Sequence, residues 1–488
     1  MNITEIERED EIFYSFVEND KNGKQITEFV KLPAIVQKYT EDATKASNYN
    51  YVPSSLSFFV ILGQICKDMI AIPSGVNIDD CRIQFAWLQT SGTGKSTLTN
   101  WYIPIVEETF RLINEKHGTQ YNIFDITDYT DAALIGSFEK REEEVVDENG
   151  QTRRISVDTP IPGQLEGDGL AIWDEFEYSG IFKQSQHKEN AIVYLNTFMN
   201  TLHGETWVIS KKLKLGDDPI ECRCKRSIYA TTYIPKQLTS VIAEKGVLQR
   251  LLLFIYEVPQ HQQMEMRRRL ISDWGTIQNR EAPKLKYSKS FATLYDTVKE
   301  RFDDVDGDPL KVIRISKEAN DALTRECVLM EQYITNSRQE VFEAMETFIN
   351  RILKHIQKLA VLCCVAEAPS ISDKSKRFVV TQNHVLQASS LIRQCYKSLV
   401  SWLDEALRVE KQSVANKAGL SIFKKVYLEL KENNDGWVNK TKLLRQVRAE
   451  TKKSQATIYK WYTKVEEYFE EQTVGKKKEV RLLQEEQT

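Results

Sequence analysis

Gln89-Thr90-Ser91-Gly92-Thr93-Gly94-Lys95-Ser96-Thr97 is the stretch that decides how this chain folds. The stretch Arg82 to Leu88 precedes it and reads as a strand; Leu98 to Lys116 follows and reads as a helix. Strand, glycine-rich loop and helix in that order form the setting of a phosphate-binding loop. Glycines let successive backbone N–H groups turn toward one anion, and the helix amino terminus adds partial positive charge. In such a loop Ser91, Gly92, Thr93, Gly94, Lys95, Ser96 and Thr97 wrap the phosphates. Lys95 reaches the β- and γ-phosphates, and Ser96 ligates Mg2+. The usual pattern begins with a glycine where this chain has Gln89. A chance glycine turn would explain the loop alone, but not the strand before it and the helix after it.

Nucleotide hydrolysis also needs a carboxylate on the metal and a group that orients water. Leu170-Ala171-Ile172-Trp173-Asp174-Glu175 offers both: a buried strand with two acids at its carboxyl end, the end that faces the ligand crevice in open α/β sheets. Asp174 is the expected metal ligand and Glu175 the expected base. Two solvated acids at a helix amino terminus would be the plainer account. A further strand, Ser227 to Ala230, ends in Thr231-Thr232. A hydroxyl there could meet the γ-phosphate or the attacking water. Spacing does not separate the two threonines; Thr232 stands as the catalytic candidate. Arg250, before the apolar run Leu251 to Tyr256, reads either as a structural cation or as a guanidinium offered to a phosphate in a neighbouring subunit.

Composition sets the frame. The chain has 488 residues, enough for two to four domains, with 41% hydrophobic and 28% charged residues, as in globular proteins. Leu56 to Ile72, the most apolar stretch, is broken by Gln64, Lys67 and Asp68, so no membrane span is expected. The acidic amino terminus does not read as a targeting peptide, and a cytoplasmic location is expected. Eight cysteines and six histidines show no metal-ligand spacing, which argues for reduced, buried thiols. The net charge is −4, yet the last eighty or so residues carry an excess of roughly five basic side chains.

The expected layout is α/β in four parts. Residues 1–80 read as a helical region, with helices over Phe29 to Thr40 and Ser54 to Met69. Residues 81–260 alternate strands and helices as a phosphate-loop core, with strands at Ile83–Leu88, Asn122–Ile126, Gly169–Trp173, Ser227–Ala230 and Leu251–Tyr256. Hairpins are expected over Glu142 to Val157 and Trp207 to Arg226. Residues 261–405 form a helical lid region, and residues 406–488 a separate module.

Residues 29 to 405 resemble the helicase-like P-loop ATPases of phages and mobile genetic elements. The resemblance rests on Leu32-Pro33, Ser91 to Ser96, Trp173-Asp174-Glu175, the Gly246 to Arg250 segment and the helical tail. Gly246 to Tyr256 is also similar to the arginine-finger strand of minichromosome-maintenance and superfamily 3 helicases. The resemblance implies an AAA+-like ATPase using ATP and Mg2+, assembled as a ring, with a hexamer expected, and acting on DNA in replication. It implies Arg250 as a finger acting on the neighbouring subunit. It places Lys211, Lys212 and Lys214 on a pore hairpin against DNA, and Arg351 or Lys354 as a second sensor in the lid. A solvated edge strand is the plainer account of the lysines.

Residues 419–483 read as helix, short strand, two helices and a hairpin, a layout that resembles the winged-helix modules of replicative helicases and initiators. Lys460 and Lys464 on the third helix, and Lys477 at the wing, are its candidate DNA contacts. Together these features predict an ATP-dependent DNA helicase or translocase, with a primase or other replication proteins as candidate partners. The alternative is an ATP-switched initiator or helicase loader that binds DNA without unwinding it.

Overall fold

The computed structural model describes residues 15–19, 25–29, 31–47, 50–75, 77–90, 92–126, 130–146, 152–174, 189–201, 203–204, 207–211, 219–234, 246–258, 260–272, 281–303, 311–368, 378–416, 419–431, 436–475 and 477–483. The chain divides into two compact units, Met1–Ser401 and Trp402–Thr488.

The first unit opens with two antiparallel strands, β1 (Ser15–Asn19) and β2 (Gln25–Phe29), where the sequence pattern predicts helix. Helix α1 (Ala34–Ser47) starts after Pro33 rather than at Phe29. Helix α2 (Tyr51–Cys66) is capped by the Asn50 side chain, which accepts from the Val52 N–H at 3.0 Å. Pro53 sits in its first turn, where no N–H is missed. Every residue from Val52 to Cys66 is buried, so this helix has no solvent face and must lie inside the unit. A short hairpin follows, β3 (Ile72–Ser74) with β4 (Asn77–Asp79).

The central sheet is built from the next elements in turn: β5 (Phe85–Gln89), α3 (Lys95–His117), β6 (Tyr121–Asp125), α4 (Asp131–Ile135), β7 (Gly136–Val146), β8 (Thr152–Pro162), β9 (Gly167–Asp174), α5 (Glu189–Phe198), β10 (Trp207–Lys211), β11 (Ile220–Thr232), α6 (Gly246–Arg250) and β12 (Leu252–Tyr256). Five strands run parallel in the order β12-β5-β11-β9-β6, and β10 pairs antiparallel with β11. This is a mixed α/β fold around a parallel sheet, compatible with a phosphate-loop-type core. All five residues of β5 are buried, as are Leu170 to Trp173 of β9; continuous apolar strands of this kind are covered on both faces. The connection from β5 leads to the far edge strand β6, whereas the one from β11 leads to β12 on the other side of β5. The crevice therefore opens at the carboxyl ends of β5 and β11. The two expected hairpins are present as β7–β8 and β10–β11, but their turn residues lie outside the described ones.

Beyond the sheet come α7 (Gln260–Ser272), α8 (Glu281–Asp303), β13 (Arg314–Ile315), α9 (Lys317–Thr335), α10 (Gln339–Glu367), β14 (Val379–Val380) and α11 (Gln382–Asn416), which runs across the boundary between the units. Helix α8 lies along α3, and α2 packs across β5, β9 and β11. An aromatic cluster locks these helices: Tyr39 of α1 meets Trp101 of α3 at 5.1 Å and Tyr287 of α8 at 5.0 Å, and Phe58 of α2 meets Phe291 of α8 at 4.6 Å. Segments from either side of the sheet in sequence thus share one core.

The second unit contains α12 (Gly419–Lys431), β15 (Val438–Asn439), α13 (Lys440–Thr451), α14 (Gln455–Val465), β16 (Phe469–Val474) and β17 (Lys477–Leu482). Its antiparallel sheet has the order β15-β17-β16. Phe423, Tyr427, Leu443, Val447, Ile458, Tyr462, Phe469 and Val480 form its core. Ser454 caps α14, its hydroxyl accepting from the Thr457 N–H at 3.2 Å. Among the described residues no helix is long and apolar enough to cross a membrane.

Candidate functional site

The glycine loop joins β5 to α3 at the carboxyl edge of the sheet. Gly92 and Gly94 have φ of +71° and +85°, values at which a side chain is strained, and Gly94 is the amino cap of α3. Lys95 turns back over the loop: its Nζ donates to the Gln89 carbonyl at 3.0 Å and the Thr90 carbonyl at 3.4 Å. Ser96 and Thr97 are exposed in the first turn of the helix. Ser91 lies outside the described residues.

Gln89 accounts for its own departure from the glycine pattern. Its side chain is buried and spans the loop from within. The Oε1 accepts from Trp87 Nε1 at 3.1 Å, and the Nε2 donates to Thr93 Oγ1 at 2.9 Å. Thr93 Oγ1 donates in turn to the Thr90 carbonyl. Thr90 ties the loop to the end of β12: its N–H donates to the Tyr256 carbonyl at 3.4 Å, and its hydroxyl accepts from the Val258 N–H at 3.0 Å. The loop is held from two strands before any anion enters.

Asp174 is the last residue of β9 and is exposed. Thr231 is in register with Asp174 on one side and Trp87 on the other, so β11 stands between the loop strand and the acid strand. Two inter-strand steps separate those backbones by roughly 10 Å. The Thr231 hydroxyl donates to Asp174 Oδ1. Thr232 is fully buried, and strand alternation sends it to the opposite face. The sequence leaves the two threonines equivalent; the register makes Thr231 the one that touches the acid. Glu175 lies outside the described residues. Among the described residues no group of three or more His, Cys, Asp and Glu side chains gathers into a metal cage. Mg2+ needs none, since it keeps several waters and takes one or two protein oxygens plus phosphates. Ser96 and Asp174, on the loop's own edge of the sheet, are oxygen donors of that type.

Arg250 ends α6 at the other edge. Its Nη1 donates to Asn196 Oδ1 at 3.0 Å and its Nε to Asn200 Oδ1 at 3.5 Å. Burial, and then the nearby Arg351, lower its pKa. Leu252 is in register with Phe85, so about five residues of rise, roughly 17 Å, separate this end of β12 from Thr90. Arg250 cannot reach the loop of its own chain. Arg351 and Lys354 line the same cleft as Arg250, and Lys354 pairs with Asp79 at 3.0 Å. The expected second sensor is therefore placed away from the chain's own loop. Sequence reasoning missed Lys358, which shares this helix face; the spacing Arg351, Lys354, Lys358 was its signal.

Lys211 belongs to β10, Lys464 to α14 and Lys477 to β17; Lys460 is exposed on α14. Lys212 and Lys214 lie outside the described residues. No known protein-family model matches the chain, and no curated protein matches it.

Proposed function

We propose that this chain is an ATP-dependent DNA helicase or translocase serving replication of a phage or mobile element, with ATP hydrolysed between neighbouring copies in a ring, a hexamer being the expected size. One observation carries the reading: Lys95 folded over a loop of positive-φ glycines at a helix amino terminus, with the Thr231–Asp174 pair at the carboxyl edge of the same sheet.

In this proposal the loop N–H groups cradle the phosphates, and Lys95 exchanges its two carbonyl partners for β- and γ-phosphate oxygens. Ser96 and Asp174 hold Mg2+, which neutralises charge developing on the transferred phosphoryl group. Thr231 fixes the carboxylate of Asp174 toward the crevice. Glu175 orients the attacking water, and Thr232 shapes the strand end beside it. Arg250, too far from its own loop, serves the loop of the neighbouring copy. The second unit is read as a winged helix, with Lys460, Lys464 and Lys477 toward DNA phosphates; Lys211, Lys212 and Lys214 would track the strand within the ring.

The test is ATP hydrolysis by the wild type and Lys95→Ala, with and without single-stranded DNA, followed by strand displacement. Loss of hydrolysis in the variant and stimulation by DNA are expected. Hydrolysis indifferent to DNA, without unwinding, would favour the initiator or loader. Equal hydrolysis by the variant would end the ATPase reading.

A further inference from the structure

Two helix faces of the first unit stand without a covering element. Helix α7 leaves the carboxyl end of β12 and lies along no other described helix or strand. At 13 residues it has the length at which an isolated helix is marginal in water. One stripe of it, Gln260, Met264, Arg267, Arg268 and Ile271, follows helical spacing and is exposed throughout. Met264 is 47% and Ile271 70% exposed; they share one ridge two turns apart, with an arginine on either side.

Helix α9 carries the second face. It buries Ala319, Ala322, Leu323, Met330 and Ile334, and it packs along α10. Its outer side shows Val328, Leu329 and Tyr333, at 44%, 39% and 40% exposure. The carboxylates of Asp321 and Glu331 are exposed on the same side. Arg267, Arg268, Asp321 and Glu331 enter no ion pair among the described residues.

One face is thus apolar and basic, the other apolar and acidic. Laid antiparallel with Ile271 level with Val328, the two helices bring Arg268 level with Glu331 and Met264 level with Thr335, beside Tyr333. The parallel order would set Arg268 level with Arg325 and Met264 level with Asp321, which opposes like charges and wastes an apolar side chain.

We propose that α7 of one copy docks antiparallel on α9 of a second copy of this chain, with Ile271 and Met264 as its apolar anchors and Arg268 opposite Glu331. Different faces of the two copies meet, so the contact is head-to-tail and leaves one donor and one acceptor face open for further copies. It supplies a contact surface for the ring of the proposed function and in that respect rests on that reading; the docking itself requires neither nucleotide nor hydrolysis. A helix face of this length covers less than the roughly 1,200 Å² of a stable pair, so each single contact is weak.

The experiment follows sedimentation of the full chain carrying Lys95→Ala, without nucleotide, over a concentration series reaching the micromolar range. Growth of the assembly with concentration is expected. Arg268→Glu and Glu331→Arg should each weaken association at least about tenfold, because each sets like charges opposite one another. A chain carrying both substitutions should associate as the parent does, since the pair is restored in reverse; recovery of this kind is something a folding defect cannot produce. Ile271→Asn should weaken association without altering the circular dichroism, the side chain being exposed in the single copy. No association of the parent, association indifferent to both single reversals, or no recovery in the double variant overturns the proposal. Every protein in the series lacks Lys95, so failure of the docking and failure of the ATPase reading are told apart.

Discussion

Replacing Gln89 with glycine would restore the usual first residue of a phosphate-binding loop, and the structure predicts that the change does harm. The Gln89 side chain makes two internal hydrogen bonds, to Trp87 Nε1 and Thr93 Oγ1. Each contributes about 1 kcal/mol net. Its two buried methylenes contribute about 0.8 kcal/mol apiece. Glycine in a strand adds a backbone entropy cost of about 0.5–1 kcal/mol. The expected loss is about 4 kcal/mol. A unit of about 400 residues unfolds with an entropy near 0.8 kcal/mol/K, so its melting transition should fall by about 5 °C. Differential scanning calorimetry of the full chain reads this, with the larger unit's transition assigned by its enthalpy. ATP binding should weaken about tenfold as well, because Thr93 and the Thr90 carbonyl lose their brace. A transition within about 1 °C of the wild type, or tighter ATP binding, would refute the account of Gln89 as the internal strut.

Other outcomes follow from the same geometry. Thr231→Val keeps the shape and removes the hydroxyl that holds Asp174; ATP turnover should fall by about 10–100-fold, while Thr232→Val, on the opposite face, should affect turnover less. Arg250→Ala and Lys95→Ala proteins, each inactive alone, should recover hydrolysis when mixed, because a mixed interface pairs an intact loop with an intact arginine; no recovery would count against action between copies. Lys358 has its native pKa lowered by burial to about 8, against 10.5 for the ordinary side chain. The unfolded chain therefore holds the extra proton between those values, and stability rises with pH across that window; below pH 8 the full cost of the buried charge is present. That cost is on the order of 3 kcal/mol. The difference in melting temperature between Lys358→Met and the wild type should shrink from pH 7.5 to pH 10, and a constant difference would contradict it.

Much of the local structure was readable because its causes are local. Gly92 and Gly94 sit where the backbone needs positive φ, and strand and helix flank them. Apolar runs marked β5, β9 and β12 to within about two residues, since strands covered on both faces need apolar residues throughout, whereas β11 begins at Ile220, seven residues before the expected Ser227. Ser454 announced α14 because a cap acts over three residues. The opening strands β1 and β2 escaped notice; short mixed segments such as Ser15 to Asn19 carry no period long enough to separate strand from helix.

What no periodicity contains is which strand lies beside which. Asp174 and Thr231 are 57 residues apart and meet only because β11 inserts between β5 and β9. Arg250 and Arg351 share a cleft because α10 packs at the amino edge of the sheet, 101 positions further along the chain. Helix α2 reads as an apolar segment in isolation; that it covers β5, β9 and β11 is settled by the sheet it meets. Residue types and their local spacing determined the loop, the strands and the caps, since backbone sterics and hydrogen bonds within a few residues decide them. Tertiary structure alone decided strand order, and with it which charges face the glycine loop and which face away, because those neighbours are chosen by long connections and the burial they allow.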